Sequence, residues 1–390
     1  MIFGNTVKSE EPNIRLLACF GPSLSSLLAA VLLLVLAPPA TAHDPSAWGG
    51  LFRSRDQGNS WFPVDAGLFV GGALAVAVHP QDPNRLLYGT DTRLLRSVNG
   101  GRDWAQEPGP QFVNAVNAVC MHKGGAVAAT SGGIYFSEPD KLWTNVQAPA
   151  GALPVRALVC DEKRIYLGTD GGVFVSEDAG RLWQRLSDGL PDAPVHCLVK
   201  VAQAADTVLA VVQDQVWISL NQGRSWQLRG APGSRIEILI SDEKLWLVAD
   251  GQVYASDDLG ASWNPLGKPL AQRDTTVRGM AVAQAGQVIL LATHRGLLRS
   301  GDGGTTWMQM EGNLPVHLEA GPLIRDPHDA ATLYVGFSLT PYAEIYRRMD
   351  GGSNLLAHLD VVSMAGGGAF LVLLCVLGGW SVRWLIRKRA

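Results

Sequence analysis

An all-β propeller of seven blades is the fold the sequence predicts, and three observations carry that expectation. One polar octet recurs along the chain at intervals of about 40 residues, the period of a propeller blade. Each copy stands between short apolar runs of strand length. Glycine is abundant, 44 of 390 residues, which suits many tight turns better than long helices.

The octet is clearest as "SGDGGTTW" from Ser300. Its relatives are "SRDQGNSW" from Ser54, "SVNGGRDW" from Ser97, "SEDAGRLW" from Ser176, "SLNQGRSW" from Ser219 and "SDDLGASW" from Ser256. "SEPDKLW" from Ser137 is one residue short, and "RMDGGSNL" from Arg348 has lost its Trp. The third position holds Asp56, Asn99, Asp178, Asn221, Asp258 or Asp302. The closing position holds Trp61, Trp104, Trp143, Trp183, Trp226, Trp263 or Trp307. Seven of twelve tryptophans at one position exclude a chance pattern.

Turn chemistry explains the order of residues. The Asp or Asn side chain folds onto nearby backbone amides as an Asx-type turn, and Gly at the fifth position accepts a positive φ. The Ser hydroxyl satisfies a further turn amide. The Trp buries its ring against the hairpin and fixes the turn to the blade. The octet therefore reads as a hairpin staple, with carboxylates that serve structure and not acid catalysis.

Each repeat carries two earlier strands. In the repeat from Pro154 they are "PVRALVC" and "RIYLGT", followed by "VFVS", the box and "LWQRL". Four such strands cannot bury both faces alone, whereas blades stacked around an axis can. Inner strands are expected from Ala73, Ala115, Val155, Val195, Ile236, Val277 and Leu318, which makes seven blades. The first box has no inner strands ahead of it. Its hairpin is expected to complete the blade begun by residues 318–338, leaving no open edge, and to displace the degenerate box at Arg348.

Both ends read as membrane-directed. Residues 1–42 resemble a signal peptide, with the apolar core "LLAAVLLLVLA" and a small-x-small site at Ala40 and Ala42. Residues 43–358 are then the exported propeller. Residues 361–386 are long and apolar enough for a single transmembrane helix, and the basic tail 387–390 places the C-terminus in the cytoplasm. Residues 43–360 hold 26 of the 32 basic and 33 of the 35 acidic side chains, a net charge of −7. That balance lacks the basic footprint of a nucleic-acid binder. Cys120, Cys160 and Cys197 are odd in number and fit no metal spacing. They read as buried unpaired thiols, with one disulfide as the alternative in an oxidising compartment. No metal or cofactor is expected.

S-x-D-x-G-x-x-W is the Asp-box, or bacterial neuraminidase repeat, and residues 46 to about 350 resemble propellers built from it. The stretches "VHPQDPNRLLYGT" from Val78 and "IRDPHDAATLYVGF" from Ile324, with "GLP" at Gly189 and "GNLP" at Gly312, resemble the sortilin, xyloglucanase and photosystem II assembly-factor branch. Where sialidases carry an Arg-Ile-Pro element this chain reads "LFRSRDQ". The single propeller matches the assembly-factor type in size. That resemblance implies a non-catalytic scaffold holding a protein partner in or at a membrane or envelope. A periplasmic glycan hydrolase or glycan-binding module is the alternative.

A propeller binds at the mouth formed by the starts of its inner strands and the loops between second and third strands. Aligned inner positions give Asn117, Arg156, His196, Glu237, Arg278 and Glu319. The turns add Asp91, Arg93, Asp170, Asp214, Asp250, His294 and Arg295. Arg156, Arg278, His294 and Arg295 are expected to offer donors to an acidic partner loop. Asp170 or Asp250 beside a Glu is the place an acid–base pair would stand.

Overall fold

The computed structural model describes residues 49–350, apart from residues 66, 109–111, 113, 140, 202 and 272–274. The expected signal peptide (1–42), apolar segment (361–386) and basic tail lie outside the described residues. Among those described, no helix is long and apolar enough to cross a membrane.

Seven four-stranded sheets make up the fold, and every strand pairs antiparallel with its neighbours. Their inner strands are Ala73–His79, Val116–His122, Val155–Cys160, Val195–Lys200, Ile236–Ser241, Val277–Ala283 and Glu319–Arg325, which we number as blades 1 to 7. Second strands such as Val208–Val212 and Leu245–Ala249 are buried along their whole length. They read as unbroken apolar runs because both of their faces meet a neighbouring blade. One core cluster shows this directly. Val127, Ile134 and Phe136 of blade 2 pack with Val155, Ile165 and Leu167 of blade 3.

The expected ring closure is present. Blade 7 has the order Phe62–Pro63, Gly50–Ser54, Leu333–Ser338, Glu319–Arg325, so the N-terminal hairpin supplies its third and outer strands. The seam runs in register from Gly50 opposite Phe337 to Ser54 opposite Leu333. Phe52 meets Phe337 edge-on at 5.4 Å, and the Leu51 amide donates to Asp65 Oδ2 at 2.9 Å. The degenerate box does not compete there, because residues 348–350 form the last turn of helix α1 (Tyr342–Asp350).

The boxes fold as staples. In the box from Ser300, the Ser300 hydroxyl donates to Asp302 Oδ1 at 2.8 Å and accepts the Gly304 amide at 2.8 Å. Asp302 in turn accepts the Thr306 amide at 2.9 Å and the Thr306 hydroxyl at 2.7 Å. The Ser-to-Gly clamp repeats at 2.8 Å in the boxes from Ser54, Ser97, Ser176, Ser219 and Ser256. Two residues in a row take positive φ: Leu259 at 58° precedes Gly260 at 83°, so the fourth position bends as well as the glycine. The indole does more than expected. Trp104 Nε1 donates to Val64 O at 2.9 Å and Trp226 Nε1 to Leu186 O at 3.0 Å, each in the preceding blade. These two tryptophans thus bind blade to blade, whereas Trp61 Nε1 donates within its own box to Gly58 O at 3.2 Å.

The cysteine expectation is corrected. Cys120 and Cys160 form a disulfide with Cα atoms 6.0 Å apart, and Cys197 is free. The two cysteines are 40 residues apart and occupy the inner strands of adjacent blades. The stacking of repeats therefore brings them together, although nothing in their local sequence pairs them.

Candidate functional site: the propeller mouth

Six inner strands share an irregularity just after their first residue. In blade 3, Val155 pairs with Thr169 and Ala157 with Gly168, which leaves Arg156 unmatched. The same shift isolates Leu74, Asn117, His196, Glu237 and Arg278. A β-bulge of this kind sets two residues against one and re-aims the extra side chain. Polar residues are tolerated at these strand positions because the bulge turns them out of the inter-blade cores. Glu319 was aligned with this set, but the structure places it elsewhere. In blade 7 the shift falls between Ala320 and Leu323, and Glu319 pairs with Ser338 ahead of it.

The ring divides into two halves. Over blades 6, 7, 1 and 2 the mouth is covered by helix α1. Tyr342 and Ile345 are buried against Leu74 and Ala115. The Tyr342 hydroxyl donates to Ala73 O at 2.6 Å and also contacts Gly321 O. The Tyr342 amide donates to Glu319 Oε2 at 2.9 Å, and Arg278 Nη2 reaches the same oxygen at 3.1 Å. Arg278 also lies over the Tyr342 ring. Of the donors expected for a partner, Arg278 is here committed to the chain's own helix. Sequence reasoning misses α1 because the degenerate box takes in only residues from Arg348 onward and residues 342–347 are assigned no element. The signal was "YAEIY", whose Tyr342 and Ile345 share one helical face.

Over blades 3 to 5 no such helix lies on the mouth among the described residues, and Arg156 and His196 are exposed. Arg156 Nη2 donates to Asp170 Oδ2 at 3.1 Å, with Nε on the other oxygen. Arg156 holds the Asp170 carboxyl below its usual range, and His196 contributes in the same direction. Asp250 accepts the Ser234 amide at 2.7 Å and the Ser234 hydroxyl at 3.0 Å, which likewise lowers its pKa. Asp214 accepts the Ile236 amide at 3.0 Å. Glu237 differs: its Oε2 is buried without a hydrogen-bond partner among the described residues. Burial pushes its pKa up to about 7, against the pull of Arg235 and with the help of Asp250.

The remaining candidates stitch loops. The Asn117 amide donates to Val155 O at 2.6 Å, joining blades 2 and 3. His294 Nδ1 accepts the Thr276 amide at 3.0 Å, Arg93 reaches Phe69 O at 3.3 Å, and the Arg295 amide donates to Thr293 Oγ1 at 3.1 Å. The Asp91 amide donates to Gly72 O at 3.0 Å. A second recurrent clamp went unread. Thr130, Thr169 and Thr293 end second strands, and each hydroxyl donates across its two-residue turn to the glycine carbonyl three residues on. The repeated Thr before the turn was its signal. Among the described residues no group of three metal-ligating side chains comes together.

No family model matches the chain. The oligoxyloglucan-reducing end-specific xyloglucanase of Emericella nidulans is 25% identical over 206 residues, 48% of this chain but only 22% of that protein's length. Among solved structures, YCF48 from Cyanidioschyzon merolae has a TM-score of 0.55 at 14% identity, covering 70% of this chain and 97% of its own. YCF48 bound to a D1 peptide gives 0.53 at 18% identity, over 69% of this chain and 94% of that one. The extracellular domain of a putative hybrid two component system from B. thetaiotaomicron gives 0.54 at 12%, over 70% and 38%. Both the assembly-factor and the xyloglucanase types named from the sequence are represented. The chain is an all-β, seven-bladed propeller closed by its own N-terminal hairpin, and these solved proteins share its fold.

Proposed function

We propose that this protein is a non-catalytic, membrane-tethered extracytoplasmic propeller that holds a segment of a membrane or envelope protein at its mouth, over blades 3 to 5. The carrying observation is the state of the polar groups there. Asp170 and Asp250 are held ionised by Arg156 and Ser234 on exposed loops, an arrangement suited to reading charge and hydrogen bonds on a peptide. A structural neighbour with a similar envelope is described as bound to a peptide, which supports the same reading. Recovery of partners from detergent-solubilised membranes tests it. Arg156→Glu together with His196→Ala should lose the partners that wild type retains, and unchanged recovery would count against blades 3 to 5 as the site.

A second reading rests on Glu237. A carboxyl raised to about 7 beside a carboxylate held low is the pattern that assigns acid and base in glycoside hydrolysis, and a curated relative is named as a xyloglucanase. Turnover on a panel of β-glucans, lost in Glu237→Gln and Asp250→Asn, would replace the scaffold reading.

A further inference from the structure

The end opposite the mouth carries a cleft of its own where the ring closes. It lies between blade 7 and blade 1 and has a volume of about 370 Å³, within the range of small-ligand sites, about 300–1,000 Å³. Arg53 is half-buried in it. This residue stands on the N-terminal strand of blade 7 opposite Tyr334, and its Nη1 donates to Gly100 O in the box of blade 1 at 2.6 Å. Arg55 and Arg102 line the same cleft and are exposed.

The balance of donors and acceptors sets the chemistry of the cleft. Two carboxylates line it, and both serve their own loop. Buried Asp326 accepts the His328 amide at 2.9 Å. Asp329 accepts the Ala331 amide at 3.0 Å and the Thr332 hydroxyl at 2.7 Å. The side-chain oxygen of Asn99 is taken up by the amides of Arg102 and Asp103, at 3.1 and 2.9 Å. The guanidiniums of Arg55 and Arg102, in contrast, make no hydrogen bond or ion pair among the described residues. Arg55 acts on Asp329 only through its field, the smallest of the pulls that hold that carboxyl low, after the Thr332 hydroxyl and the Ala331 amide. Three arginines against two carboxylates that are already bonded leave an excess of forked donors, in a domain that is acidic overall.

Planar guanidinium forks match the oxygens of phosphate and sulfate and hold them through paired, charge-assisted bonds. We propose that this cleft binds a tetrahedral oxyanion, phosphate or sulfate, free or as the ester of a small molecule, between Arg55 of blade 7 and Arg102 of blade 1. An anion held there bridges the two blades beside the Arg53 bond to Gly100 O and the contact of His328 Nε2 with His79 O at 2.8 Å. Binding therefore clamps the N-terminal hairpin into the ring. The cleft and the mouth lie at opposite ends, and loss of one leaves the other intact.

The test uses the full chain in detergent, with phosphate, sulfate or glycerol 3-phosphate added against chloride at equal ionic strength. Calorimetric titration should show saturable binding of one anion per chain. Phosphate at about ten times its dissociation constant should raise the melting temperature by about 2 °C. Arg55→Gln combined with Arg102→Gln should melt like wild type in chloride and bind about tenfold more weakly or worse. Arg224→Gln, at the box position of Arg102 but on blade 4, should bind like wild type. Amide exchange over residues 50–54 should slow on binding. Glycerol 3-phosphate held more tightly than phosphate assigns the ester, and equal affinities assign the free ion. Phosphate and sulfate also stabilise proteins through exclusion from their surface. An equal rise of melting temperature in wild type and the double variant, without saturable heat, therefore overturns the site. Binding that leaves exchange over residues 50–54 unchanged overturns the clamp.

Discussion

The Arg278 guanidinium lies 4.8 Å from the centroid of the Tyr342 ring, so a bulge residue of blade 6 holds a helix that follows blade 7. The contact is favourable because a desolvated cation meets the negative face of an aromatic ring, while Glu319 neutralises the charge. The relationship turns half of an otherwise symmetric mouth into a closed surface.

Tyr342→Ala should therefore lower unfolding stability by about 3–5 kcal/mol, the usual cost of deleting a fully buried aromatic ring. Tyr342→Phe keeps the packing and loses only the hydroxyl's hydrogen bonds, a cost of about 1–2 kcal/mol. Denaturant titration gives both values. Amide exchange should accelerate over residues 342–350 in Tyr342→Ala and stay slow in blades 3 and 4. Equal midpoints for all three proteins would mean that α1 is not docked.

The Asp-boxes make stability depend on acid. The backbone amide and hydroxyl of Thr306 hold Asp302 down to about 2, and the hydroxyl and amide of Ser262 do the same for Asp258. An unfolded Asp titrates near 3.9. Because the folded value is the lower one, the stabilisation is complete above about pH 4 and is lost as pH falls toward 2. Asn already occupies this position at Asn99 and Asn221, so Asp302→Asn should stay folded at neutral pH. It should also show a shallower fall of melting temperature between about pH 4 and 2 than wild type. Asp302→Ala, which cannot accept the Thr306 amide, should melt lower than Asp302→Asn at neutral pH. An Ala variant equal to Asn there would deny the staple its role.

How much of this was legible follows from what repeats. The boxes, the seven inner strands and the N-terminal seam depend on turn residues and on a period, both of which a single chain displays. The bulge positions were also legible, because Asn117, Arg156, His196, Glu237 and Arg278 are polar where a strand should be apolar. Glu319 was misplaced because blade 7 has Gly321 at the bulge, which removes the polar marker. The pairing of Arg156 with Asp170 joins the bulge and the turn of one blade, and the cover over Arg278 comes from a segment that breaks the period, so neither is displayed by the repeat. The disulfide was hidden for a related reason: Cys120 and Cys160 meet only once two blades are stacked.

That pairing has a direct consequence. In denaturant without reductant, residues 43–360 should titrate one thiol, Cys197, and after reduction all three of the cysteines in that range. Replacing Cys120 and Cys160 with Ser should cost about 2–4 kcal/mol, since the bond closes a loop one repeat long in the unfolded chain. Three reactive thiols before reduction would show the pair to be open in protein isolated under oxidising conditions.

Glu237 provides a test on which the scaffold and hydrolase readings differ. The residue is half-buried, and its buried Oε2 finds no hydrogen-bond partner among the described residues. Desolvation raises its pKa to about 7, Arg235 opposes that rise, and Asp250 adds to it. An unfolded Glu titrates near 4.3, so between about pH 4 and 7 the folded chain holds a proton that the unfolded chain has released. Stability should then fall as pH rises through that window and level off above it. Glu237→Gln is neutral at every pH and should melt higher than wild type at about pH 8, with the difference vanishing by about pH 4. A variant that melts below wild type at pH 8 would mean that the ionised carboxylate has a partner the fold does not reveal. If the melting behaviour follows the expected course while turnover of β-glucans is undetectable in wild type, the raised pKa is only a consequence of burial in a binding ring. If turnover is present and vanishes with the same substitution, the proton on Glu237 belongs to a reaction.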